Sequence, residues 1–184
     1  EGRISKESYK IIKPEQLPFI SYPYEWSFSQ LKSASLAVLQ VLKISLSRGM
    51  ILKDGSAYNI QFYKGKPVWI DTPSFEKYEE GIPWFGYGQF CRHFLAPLSL
   101  MSYKDLRLGY LMREYIDGIP LDLASSLLPQ KSFLNLPLLL QLHFHAKSEK
   151  HNSKLIGISK NLRMRISKKS LLGLIDNLES AIKG

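Results

Sequence analysis

Three side chains of this 184-residue chain have the types and spacing for a specific chemistry: Asp54, Asn59 five residues on, and Asp71 twelve residues after that. Phosphoryl transfer to a hydroxyl calls for a carboxylate to orient the acceptor, and for an amide and a second carboxylate to hold Mg²⁺ on ATP. The three groups occur in that order. They lie within Gly49-Met50-Ile51-Leu52-Lys53-Asp54-Gly55-Ser56-Ala57-Tyr58-Asn59-Ile60 and Pro67-Val68-Trp69-Ile70-Asp71. Asp and Asn also cap turns in hairpins, so spacing alone leaves a purely structural role open.

The elements that must position these groups can be read from the pattern. Leu31, Ala34, Ser35, Val38, Leu42 and Leu46 recur at three- and four-residue steps, which predicts an amphipathic helix over 31–48. Ser27 or Ser29 can cap it, and Gly49 ends it. Alternation over Asn59–Tyr63, a turn at Lys64-Gly65-Lys66 and a return over Pro67–Ile70 predict a β-hairpin. The hairpin brings Asn59 and Asp71 to one end, and Asp54 enters from the loop before it. A loop is expected from Thr72 to Pro83. Helices are expected at about 84–103 with a break at Pro97, 104–117, 121–128, 134–151 and 168–183. The last has an apolar stripe of Leu171, Leu174, Ile175, Leu178 and Ile182.

The chain therefore reads as α+β and mainly α. Residues 1–26, rich in Pro and aromatics, form an extended segment; 27–151 form the main lobe; 152–184 form a basic linker and helix leading toward a further domain. With 45% hydrophobic residues the chain can bury a core. A lone cysteine, Cys91, excludes an intramolecular disulfide and fits a reducing, cytoplasmic setting. No apolar run is long enough for a membrane span, and no secretory leader is expected. Of the net charge of +9, residues 147–184 carry +6, with nine Lys or Arg against three acids. Such a stretch could meet nucleic acid, but no nucleic-acid motif accompanies it, and a solvated helix face or linker is the preferred reading.

The segment from Gly49 to Asp54 resembles the catalytic loop of protein kinases and of aminoglycoside-type phosphotransferases. Asn59-Ile60 and Ile70-Asp71 are similar to their two metal-binding positions. The resemblance implies a protein-kinase-like C-terminal lobe with a short β-hairpin, Asp54 as the catalytic, acceptor-orienting carboxylate, and Asn59 and Asp71 as ligands of Mg²⁺ bound with ATP. Lys53 and Arg92 are possible supporting residues. Leu52 stands where those enzymes usually have His, and Thr72-Pro73 where they have Phe-Gly. A Gly-rich loop and a strand-borne Lys are absent from the chain, so nucleotide-binding residues are not assigned.

A second resemblance covers nearly the whole chain. It rests on Phe19–Phe28, Leu52–Phe62, Ile70–Glu76, Gln89–Leu98 and Asp117–Asp122. These segments resemble the N-terminal region of a bacterial family labelled class I S-adenosylmethionine-dependent methyltransferase, in which a methyltransferase domain follows. The resemblance implies a module of a larger protein acting on a small-molecule substrate. It is either a phosphotransferase in its own right or a non-catalytic accessory that positions substrate for the methyltransferase domain in cis. S-adenosylmethionine is not expected to bind here, since no Gly-rich strand-turn-helix is present.

Other polar residues read as structural. His143 and His145 have the wrong spacing to share a helix face around a metal. Cys91 reads as a small buried apolar residue, and Arg92 as a tie to a loop. Tyr22, Tyr24, Trp26 and Phe28 pack the N-terminal segment, and Lys53 or Arg92 are candidate partners for Glu25.

Overall fold

The computed structural model describes residues 13–148 and 165–184. Its long helix α1, Phe28–Ser47, begins with a reciprocal cap: Ser27 Oγ accepts the Gln30 N–H at 3.3 Å, and Gln30 Oε1 accepts the Ser27 N–H at 2.9 Å. Leu31, Ala34, Val38, Leu42 and Leu46 lie on its buried face. Gly49, at φ +74°, turns the chain out of the helix.

Two small antiparallel sheets follow. The hairpin pairs β2 (Ile60–Tyr63) with β3 (Lys66–Trp69), with Ile60 opposite Trp69 and Tyr63 opposite Lys66. Lys64 and Gly65 form its turn, both at positive φ, as a tight two-residue hairpin requires. The other sheet is a correction to the expected loop over 72–83. Residues Phe75–Lys77 form β4, paired with β1 (Met50–Leu52), so that Leu52 faces Phe75. Neither strand exceeds three residues, too short to show an alternating pattern in sequence.

The rest is helical. The stretch expected to break at Pro97 continues through it: α2 (Tyr87–Phe90), a π-helical turn over Cys91–Leu95, then α3 (Ala96–Tyr103). Proline removes an N–H and crowds the carbonyl four residues back, and the wider turn ahead of it relieves both. The expected helix over 104–117 is a 3₁₀ segment, Leu106–Tyr110, followed by the short α4, Leu111–Glu114. Beyond it lie α5 (Leu121–Leu127), a 3₁₀ turn over Gln130–Leu134, α6 (Leu136–Leu138), a π-helical turn over Leu139–Phe144, and helix over 145–148. The basic residues of 149–164 lie outside the described residues. The final helix, α7 (Lys168–Lys183), is capped by Ser167. Its Leu171, Ile175, Leu178 and Ile182 are buried in the same core as α1, and Lys43 on α1 pairs with Asp176 at 2.7 Å and Glu179 at 3.0 Å.

The fold is thus α+β, mainly α. No helix among the described residues is long and apolar enough to cross a membrane. The N-terminal segment is fastened to the hairpin: Ser21 and Gln61 exchange two hydrogen bonds (2.9 and 3.0 Å), and Trp26 packs edge-on against Phe62. The Glu25 carboxylate accepts the Tyr22 N–H at 2.7 Å and closes its own turn.

Candidate functional site

Both sheets run out at one place. The β1–β4 ladder extends by one bond, Lys53 N–H to Ser74 O at 2.8 Å, so Asp54 leaves β1 beside the residue that enters β4. The β2–β3 ladder extends likewise, Ile70 N–H to Asn59 O at 2.9 Å. That bond sets Asn59 opposite Ile70, one residue from Asp71. Trp69 Nε1–H donates to Asp71 O at 2.6 Å and fixes the backbone there. A one-turn 3₁₀ helix, Thr72–Ser74, then carries the chain from Asp71 to Ser74.

This arrangement gathers two of the three predicted groups on one hydroxyl. The buried Ser74 Oγ lies 3.3 Å from Asp54 Oδ2 and in short contact with Asp71 Oδ2. A serine hydroxyl has one proton to give. With Asp71 as the closer acceptor, Asp54 Oδ2 is left facing an oxygen. Asn59 is half-buried at the edge of the same loop, and its side-chain amide makes no hydrogen bond to a described residue. Its backbone is positioned next to Asp71 by the Ile70 N–H bond to Asn59 O.

The loop carrying Asp54 is clamped from behind. Gly55 N–H donates to Gln89 Oε1 at 2.8 Å. The backbone at Gly55 approaches Gly86 so closely that a Cβ on Gly55 would sit 2.4 Å from Gly86 O. Trp84 Nε1, buried beside this corner, has no hydrogen-bond partner among the described residues. Tyr58 meets His93 edge-on at 5.9 Å. Burial, and next the Arg92 charge, hold the His93 imidazole down at about 4, so the ring is neutral near pH 7. Burial raises the Tyr58 phenol, and nearby Tyr24 and Asp117 push the same way.

The two supporting residues are placed differently. Lys53 is exposed. Arg92 sits on the π-helical turn, where its carbonyl accepts the Ile119 N–H at 3.0 Å and Gly118 packs on its Cβ. It ties that helix to the Asp117-Gly118 turn and lines a cleft of about 590 Å³ with Glu114, Tyr115 and Asp117. Cys91 is fully buried. His143 and His145 have separate neighbours: His143 lies between Ser125 and Ser132, and His145 stacks on Tyr87 at 4.8 Å.

Two carboxylates and a hydroxyl make a set of oxygen donors with spare negative charge, which suits a hard divalent cation completed by phosphate and water. The groups present are compatible with Mg²⁺. Among the described residues there is no group of three or more His, Cys, Asp or Glu able to hold a metal unaided. Sequence reasoning missed Ser74 and Gln89. Ser74, three residues after Asp71, carries the signal of a polar turn. Gln89 has no local signal, because its role depends on a contact 34 residues away.

No family model matches the chain, and no solved structure matches it. Among curated proteins it is similar to Nodulation protein NoeA of Rhizobium meliloti (strain 1021), with 32% identity over 177 residues, 95% of this chain. The chain spans 37% of that relative's length.

Proposed function

We propose that the chain is a kinase-like module that transfers the phosphoryl group of Mg²⁺·ATP to a hydroxyl of a small molecule. The observation that carries this reading is the convergence of Asp54 and Asp71 at the hydroxyl of Ser74. Asp54 accepts the hydrogen bond of the acceptor hydroxyl and takes its proton as the new bond forms. Asn59 and Asp71 would supply oxygens to the metal, and Ser74 donates its proton to Asp71 beside Asp54. The bound Mg²⁺ would neutralise charge developing on the phosphate oxygens. Gln89 and the Gly55–Gly86 contact keep the Asp54 loop rigid, which preserves the reacting geometry.

A second reading is supported by the comparison with NoeA: about two thirds of that protein lies outside the shared region and could hold a separate activity. In this reading the module keeps the site's framework and positions substrate for a methyltransferase domain, with S-adenosylmethionine bound elsewhere.

Thermal denaturation of the full-length protein separates the two. The phosphotransferase reading expects Mg²⁺ and ATP together to raise Tm by several degrees, neither alone to do so, and Asp71→Asn to abolish the shift. If wild type and Asp71→Asn respond alike, phosphoryl transfer is ruled out and the accessory reading stands.

A further inference from the structure

Away from the Asp54 site, α5 and the two turns that follow it build a second arrangement of reactive groups around His143. The imidazole is 1% exposed and lies between two serines: Nδ1 is 2.7 Å from Ser125 Oγ, and Nε2 is 3.0 Å from Ser132 Oγ. Which serine donates follows from a third bond. Ser132 Oγ gives its proton to Pro129 O at 2.7 Å, and a carbonyl can only accept. Ser132 therefore offers a lone pair to the ring, Nε2 carries the ring proton, and Nδ1 is left with the lone pair. Ser125 O–H donates to Nδ1. The chain of bonds runs from Ser125 through His143 and Ser132 to a backbone carbonyl, with each proton assigned.

Of the three side chains in this relay, only Ser125 is partly exposed. A hydroxyl donating to a neutral imidazole that is itself oriented by a third group has the arrangement of an activated nucleophile. The surface around it is apolar. Phe133 stacks on His143 with ring centroids 3.8 Å apart and remains partly exposed, and Leu127, Leu134, Leu136 and Phe144 are exposed close by in sequence. Leu134 is 88% exposed.

We propose that Ser125 is an acyl-accepting nucleophile, with His143 as its base and Ser132 as a positioning residue, and that its donor is an activated ester of an apolar acyl chain. Ser125 Oγ attacks the carbonyl carbon while its proton moves to His143 Nδ1. The carbonyl–oxygen bond to the donor's alcohol breaks, and the leaving oxygen takes the proton from Nδ1. The products are acyl-Ser125 and the free alcohol, with no change in oxidation state.

The test is incubation of the full-length protein with p-nitrophenyl octanoate, followed by mass spectrometry of the intact protein and its peptides. One octanoyl group on Ser125 is expected, lost in Ser125→Ala and kept in Ser126→Ala, since Ser126 Oγ already donates to Leu123 O. His143→Gln should slow acylation at least tenfold. Because that variant could fail to fold, the pH profile of the wild type is a second readout. Burial, and next the Lys147 charge, hold the imidazole below its ordinary value. The acylation rate should therefore level off above about pH 6.5. Absence of octanoyl-Ser125 overturns the proposal. So does an unchanged rate in folded His143→Gln, or a rate that keeps rising tenfold per pH unit through pH 9.

Discussion

Gln89 Oε1 accepts the Gly55 N–H at 2.8 Å and so couples the first helix after the sheets to the loop that carries Asp54. Gly55 is buried, and without this acceptor its N–H would have no partner. Leaving a buried donor unsatisfied costs about 1–3 kcal/mol. Gln89→Ala should therefore lower unfolding free energy by that amount in urea titration. Gln89→Glu, which keeps the acceptor, should lose less.

The contact between Gly55 and Gly86 leads to a sharper expectation. A methyl group on Gly55 would lie 2.4 Å from a backbone carbonyl, which no side-chain rotation can relieve. Gly55→Ala should destabilise by about 3 kcal/mol. Gly173→Ala is the control: nothing lies within 4 Å of the added carbon, and the substitution falls inside a helix. It should raise stability by roughly 0.5–1 kcal/mol.

His93 predicts an acid-sensitive fold. Its folded-state value of about 4 is below the ordinary 6.5, so the unfolded chain binds this proton more readily between those limits. Stability should fall as pH drops from about 6.5 to 4 and then level off with respect to this group. The full effect is roughly 3 kcal/mol. In His93→Gln the part of the slope due to this residue should disappear, as read from urea midpoints across that window.

The docking of α7 on α1 distinguishes apolar from charged contributions. Leu178→Ala removes a fully buried side chain and should cost about 2–5 kcal/mol. Lys43→Met breaks two ion pairs at a partly exposed position and should cost under about 1 kcal/mol. Added salt should reduce the second effect and leave the first unchanged.

The sequence specified the long-period elements well. The α1 stripe, the Ser27 cap, the Lys64-Gly65 turn and the α7 stripe are each set by residues near one another, and the structure has all of them. The three-residue strands β1 and β4 were not legible, because their pairing closes across more than twenty residues and neither shows alternation. That omission hid Ser74, whose position beside Asp54 exists only through this pairing. Pro97 misled for a related reason. A proline marks a break only where the preceding turn cannot widen, and here it does. At the site, side-chain types pointed to Asp54 and Asp71, and the groups that hold them were visible only in three dimensions.

The wide turn over Cys91–Leu95 takes one more residue than an α-helical turn spanning the same rise. Each residue in a helix rotates the next by about 100°. The side chains before and after the turn are therefore out of phase with an unbroken helix. Gln89 aims at the Asp54 loop, while Leu98 lines a groove shared with Ala181 and Ile182 at the far end of α7. Deleting one residue between 91 and 95 would re-phase this helical stretch, so that it could serve the loop or the terminal helix but not both.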